Sequence, residues 1–148
     1  MKRGGMTKVN YLAILVAVIA AFVASSLWYS PLLFGKQFIE LSGFDSASAP
    51  NAWKAISELV RTSVLAYVIA RLVALLHVSG WKGALREGLW LWVGFPAVLL
   101  SGSVLWQRVP SQLAAIHAGD WFIKILLIAV IVSIWRGRVS PGVTSQTS

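Results

Sequence analysis

Residues 112–135, QLAAIHAGDWFIKILLIAVIVSIW, decide how the rest of the chain is read. The second half, from Ile125 on, has no charged residue and consists of Ile, Leu, Val and Ala with one Ser and one Trp. The first half carries His117, Asp120 and Lys124. At about 100° per residue, these three side chains and Trp121 fall within roughly a 100° arc of one helix face. Polar groups confined to one side of so apolar a helix face protein or water, not lipid. The stretch therefore reads as a membrane-spanning helix with one polar stripe, and the other apolar segments are expected to pack around it.

The composition agrees. Of 148 residues, 57% are hydrophobic and only 12% charged, where a soluble domain carries about a quarter charged. Mean hydropathy is +0.75. A single soluble domain cannot bury this much apolar surface. The expected class is all-α: a polytopic membrane protein with four transmembrane helices at about 10–29, 52–77, 84–106 and 112–136, with a short interfacial helix at 31–41. A basic segment (1–8) precedes this domain (9–136), and a Ser/Thr-rich tail (137–148) is expected to be disordered. The apolar run after Lys8 continues past Val23-Ala24-Ser25 into Leu32, Leu33 and Phe34. That is longer than a secretory signal core, so an uncut anchor is favoured over a cleaved signal.

The net charge of +8 does not mark a nucleic-acid binder, because the basic residues sit at segment ends instead of on one face. Lys2, Arg3, Lys8, Lys82, Arg86, Arg136 and Arg138 fall on one side of the expected topology. Lys36, Lys54 and Arg108 fall on the other, with Arg61 and Lys124 at segment margins. Both termini are therefore expected to be cytoplasmic, in a multi-pass protein of the cell membrane (the inner membrane in a bacterium).

Several helix faces carry small residues. Ala13, Ala17, Ala21 and Ser25 recur every fourth position in the first helix, and Ser63, Ala66, Ala70 and Ala74 in the second. Such stripes let helices approach closely and point to self-association or a partner subunit, although Ala-rich helices produce them easily. In the third helix Gly94, Ala97 and Ser101 form the expected close-contact side, and Pro96 is expected to bend it. The short connector after His77 makes the second and third helices expected antiparallel neighbours.

Asn10, the run Trp28-Tyr29-Ser30-Pro31-Leu32-Leu33-Phe34-Gly35-Lys36, the segment Gly88-Leu89-Trp90-Leu91-Trp92, and Ile116-His117-Ala118-Gly119-Asp120-Trp121 carry a family likeness. Through them the chain resembles the small membrane proteins catalogued as domain of unknown function 1761, over about residues 9–135. The resemblance implies a four-helix membrane protein and no assigned chemistry. In the pattern it resembles, an aromatic residue more often stands at the position of Asp120, so no family-wide task is implied for that carboxylate.

The candidate polar pocket consists of Trp28, Tyr29, Arg61, His117, Asp120, Trp121 and Lys124, with Glu58 a possible further member. Asp120 and Lys124 stand at i,i+4 in the favourable order. They either neutralise one another near the outer interface or line a cavity on the non-cytoplasmic side that holds a small molecule or lipid headgroup. Arg71 lies deeper in its span, about 9 Å from the His77 end, and either snorkels or pairs in the interior. No cofactor or metal is expected. The two histidines belong at opposite ends, there is no cysteine, and no Gly-rich phosphate loop or nucleophile turn is found. Three functions remain: a binding or accessory protein, a small proton-coupled transporter or channel using Asp120, and a membrane enzyme, for which a converging third group beside His117 is missing.

Overall fold

The computed structural model describes residues 9–44 and 52–136. The expected basic segment 1–8, residues 45–51 and the expected tail 137–148 lie outside the described residues. Six α-helices follow in order: α1 (Tyr11–Trp28), α2 (Gly35–Ser42), α3 (Ala52–Leu75), α4 (Gly80–Trp92), α5 (Val98–Gln107) and α6 (Ser111–Arg136). No strand occurs among the described residues. A five-residue π-helical turn, Val93–Ala97, joins α4 to α5, so the two form one apolar rod from Gly80 to Gln107.

Local chemistry sets the ends of these elements. The Asn10 side chain accepts from the amides of Leu12 and Ala13 at 3.0 and 3.3 Å, capping α1. Beyond Trp28 the chain tightens into turns through Pro31, and the Gly35 amide donates to the Ser30 carbonyl at 3.0 Å. A side chain at Gly35 would collide with the carbonyls of Tyr29 and Ser30, which is why glycine starts α2. Pro96 has no amide to give to an α-helical ladder, and the π turn around it absorbs the missing bond. Arg108, at φ 56°, ends α5 in the left-handed region.

α6 is the axis of the molecule, and every other helix packs against it. Named contacts give the directions. Ser25 and Trp28, late in α1, meet Asp120 and Ile116, early in α6. Glu58 of α3 meets Lys124, while the Val73 carbonyl accepts from Arg136 at 2.8 Å. The Gly80 carbonyl accepts from Ser133 at 3.2 Å, while Trp92 Nε1 donates to the Ala118 carbonyl at 2.9 Å. Thus α1 and α4–α5 run against α6 and α3 runs with it. The start of α1 and the end of α6 share one end of the bundle.

The small-residue stripes face the interior. Ala13, Ala17 and Ala21 are fully buried and Ser25 nearly so, as are Ala66, Ala70 and Ala74 of α3, while Ser63, expected in the same stripe, is only half-buried and turns its hydroxyl to the Leu59 carbonyl. The third expected stripe is corrected. Gly94 has open space where a side chain would point, and Ser101 is exposed. The close approach lies earlier in the rod, where Ala84 is buried and a Cβ on Gly88 would press into Leu126 at 2.8 Å.

Two further expectations change. α3 and α4 barely touch: each packs on α6, and apolar clefts separate them. Among the described residues, three helices are long and apolar enough to cross a membrane, not four: α1, the α4–α5 rod and α6. α3 has 24 residues, but Lys54, Glu58, Arg61 and Arg71 interrupt its apolarity.

Candidate functional site: a polar cavity at one end of the bundle

Three helix ends converge at the pole opposite the described chain ends: the last turn of α1, the first turns of α3 and the first half of α6. They enclose an open cavity of about 470 Å³. Lys54, Glu58 and Arg61 of α3 stand at i, i+4 and i+7 and share one face toward it. His117, Asp120, Trp121 and Lys124 of α6 line the facing wall, with Ser25 and Ser26 of α1, Tyr29 just past its end and Phe38 of α2.

The cavity floor is a connected set of charges. Lys124 lies 3.2 Å from Asp120 Oδ2 and also pairs with Glu58 Oε1. Asp120 Oδ1 accepts from the Ser25 hydroxyl. Glu58 Oε2 accepts from Arg61 at 3.1 Å, and Thr62 lies 3.5 Å from Oε1. Asp120 and Lys124 are only 5% and 4% exposed. Ionised groups so far from water persist only when paired and hydrogen-bonded. Among the described residues, no buried side-chain nitrogen or oxygen lacks a partner.

An aromatic wall stands beside the charges. The Tyr29 hydroxyl and His117 Nδ1 are 2.8 Å apart, and Phe38 packs edge-on against both rings at 5.1 and 5.8 Å between centroids. Burial, reinforced by the Asp120 and Glu58 carboxylates and opposed by Arg61, holds the Tyr29 hydroxyl well above its usual pKa. Tyr29 is therefore a neutral hydroxyl at any physiological pH. Trp121 stacks beneath two cations, with Arg61 and Lys124 at 5.8 and 5.7 Å from its ring.

Six of the seven residues expected to form the pocket line this cavity: Tyr29, Arg61, His117, Asp120, Trp121 and Lys124. Glu58, named as a possible member, sits at its centre. Trp28 does not line it. Its indole fills the space beside Gly119, donates to the Ile116 carbonyl at 3.0 Å, and stacks on Phe34 at 4.5 Å. Trp28 borders a separate depression with Gln37 and Glu40, so its role is to fasten α1 to α6.

Arg71 stands apart. It is half-buried ten residues beyond Arg61, and it makes no hydrogen bond or ion pair among the described residues. Sequence reasoning missed Ser25 as a ligand of Asp120, because its place in an alanine stripe made it look like a packing residue. It also missed Lys54 and Phe38. The i, i+4, i+7 spacing of Lys54, Glu58 and Arg61 was the available signal for the first.

Among the described residues no group of His, Asp and Glu is arranged to hold a metal ion. The carboxylates are occupied by Lys124, Arg61 and hydroxyls, and the outward-facing donors are cationic. The arginine, lysine and neutral hydroxyl groups of the lining are hydrogen-bond donors of the kind an anion accepts from.

No curated protein and no solved structure matches the chain. The family model described as Protein of unknown function (DUF1761) matches residues 12–133, from the first turn of α1 to the last turns of α6, and the chain belongs to that family.

Proposed function

We propose that the chain is a four-pass membrane protein with both ends in the cytoplasm, and that its polar cavity opens on the other side to bind an anionic group. That group is carried either by a small solute or by a lipid headgroup. The observation that carries this reading is Arg61. One of its nitrogens pairs with Glu58, yet its side chain stays 62% exposed over Trp121, at the mouth of a cavity whose buried charges are already matched. An exposed guanidinium above a neutralised floor presents donors suited to phosphate or carboxylate.

The distribution of charge along α3 supports a fourth crossing. Lys54, Glu58 and Arg61 all face the cavity, so none needs to meet lipid. From Thr62 to Leu75 the sole charge is Arg71, within snorkelling reach of the far headgroups. The excess of Lys and Arg at the pole of the chain ends supports the cytoplasmic placement. Broad exposed apolar faces on α1 and α5, including Leu15, Ile19, Leu99 and Leu105, suit acyl chains, a second copy or a partner subunit.

The test uses the full chain in phosphatidylcholine nanodiscs, titrated with inorganic phosphate and separately with phosphatidylglycerol. Binding of either probe that falls about tenfold or more in Arg61→Gln supports the reading, that being the loss expected for one charge-assisted contact. Absence of binding to both, or binding indifferent to Arg61→Gln, refutes it.

A second reading, a proton-coupled transporter, is favoured by the Asp120 carboxylate buried beside Lys124 within a span. Proton-coupled flux in proteoliposomes that disappears in Asp120→Asn supports that reading. Flux unchanged by Asp120→Asn and Arg71→Gln removes it.

A further inference from the structure

An apolar groove lies beside the polar cavity, on the other side of Trp121. Behind Trp121, between α3 and the α4–α5 rod, lies a cleft of about 380 Å³ bordered by Leu65, Val68, Leu72, Phe95 and Leu99, among others. A second cleft of about 170 Å³ extends it toward the other pole and shares Ile69, Leu72 and Leu91 with the first. The groove exists because α3 and α4 each pack on α6 and not on each other. The π turn at Pro96 forms part of its wall.

Three features identify an occupant. Trp121 lines both the polar cavity and the cleft, so the two spaces share one wall. Along α3 the groove begins at Leu65, one turn beyond Arg61, and ends at Leu76, just past the helix. At 1.5 Å per residue that is about 16 Å, close to the ~15 Å depth of one leaflet's hydrocarbon, half of ~30 Å. Apart from Glu87 in the second cleft, whose carboxylate pairs with Arg86 at 3.5 Å, the groove is lined by apolar side chains, while the polar cavity presents Arg61 and Lys54 beside its paired carboxylates.

An exposed guanidinium one helical turn from the start of a leaflet-deep apolar groove matches an anionic phospholipid lying along its own leaflet. We infer that the ligand is a membrane phospholipid with a negatively charged headgroup. Its phosphate sits in the polar cavity beneath Arg61, and one acyl chain lies in the α3/α4–α5 groove. This inference rests on the anion-binding reading above and adds that the anion is held together with its tail.

The experiment separates the two. The full chain in phosphatidylcholine nanodiscs is titrated with phosphatidylglycerol and with water-soluble glycerol phosphate. Val68→Trp and Leu99→Trp fill the groove, and Leu105→Trp, on an exposed face outside it, is the control. The expected result is a lipid affinity at least about tenfold above that of glycerol phosphate, reduced to the glycerol phosphate level by filling the groove and unchanged in the control. Phosphatidylglycerol with brominated acyl chains provides a readout that needs no groove variant. At low mole fraction it is expected to quench the fluorescence component that is lost in Trp121→Phe, more than brominated phosphatidylcholine does. Lipid affinity unaffected by filled grooves, or equal quenching by both brominated lipids, overturns the inference. If Arg61→Gln still weakens binding in that case, the anion site stands alone. Failure of both probes to bind removes the two readings together.

Discussion

Lys124 Nζ lies 3.2 Å from Asp120 Oδ2, one turn back along α6, and both side chains are almost sealed from solvent. The pair does not close on itself. Lys124 also reaches Glu58 on α3, and Asp120 accepts from Ser25 on α1, so two charges on the axial helix tie it to α1 and α3.

Removing the lysine should therefore leave two carboxylates facing each other with no cation between them. Lys124→Met is expected to cost about 3 kcal/mol, the penalty for orphaning a buried charge. Adding Asp120→Asn should restore part of that loss, giving a coupling of opposite sign to the single changes. Denaturant unfolding in detergent micelles reads both. Additive losses would mean that the two groups do not share one network.

Gly119 carries a steric expectation. A methyl group there would overlap the Trp28 indole, which is held by its bond to the Ile116 carbonyl. Gly119→Ala should destabilise the α1–α6 contact by about 1–3 kcal/mol, as overpacking does. In a Trp28→Ala background the same change should cost much less. Thermal unfolding of the four proteins in micelles checks it.

Tyr29 sets a pH dependence. Its folded pKa is raised by burial and by the Asp120 and Glu58 carboxylates, above the unfolded value of about 10. The neutral hydroxyl is favoured in the folded state. Its contribution to stability is present below pH ~10 and is lost as pH rises beyond it. Near-ultraviolet titration, taken as the difference between the unmutated chain and Tyr29→Phe, should show no tyrosinate near pH ~10. A Tyr29 component ionising at the ordinary pH would contradict the buried hydroxyl–imidazole contact.

The helices and the axial role of α6 were legible because apolar length and capping are local signals: Asn10 before a charge-free run, Pro31 after it, and a 3.6-residue pattern of alanines. The polar stripe of α6 was legible for the same reason, since the 100° arc follows from spacing alone. Which residues meet that stripe depended on the register between helices, which sequence spacing does not encode. Hence Ser25 passed as a packing residue, and Trp28, adjacent to Tyr29 but about 100° around the helix, was placed in the wrong wall. The expectation of four segments apolar enough to span was not met at α3, because a helix lining a polar cavity keeps its charges. The cleft between α3 and α4 was hidden for another reason: a short connector implies proximity in sequence, but α4 packs on α6 through Gly88 and α3 packs on α1 and α6.

The most direct test places the two ends of α3 relative to the membrane. The chain has no cysteine, so Ala55→Cys at the cavity and Ser79→Cys at the opposite pole each introduce a single reactive thiol. With a membrane-impermeant maleimide on intact cells, Ala55→Cys should label from outside, and Ser79→Cys should label only after the membrane is opened. Labelling of both from the same side would mean that α3 does not cross, and a four-pass bundle with an outward-facing charged cavity would be excluded.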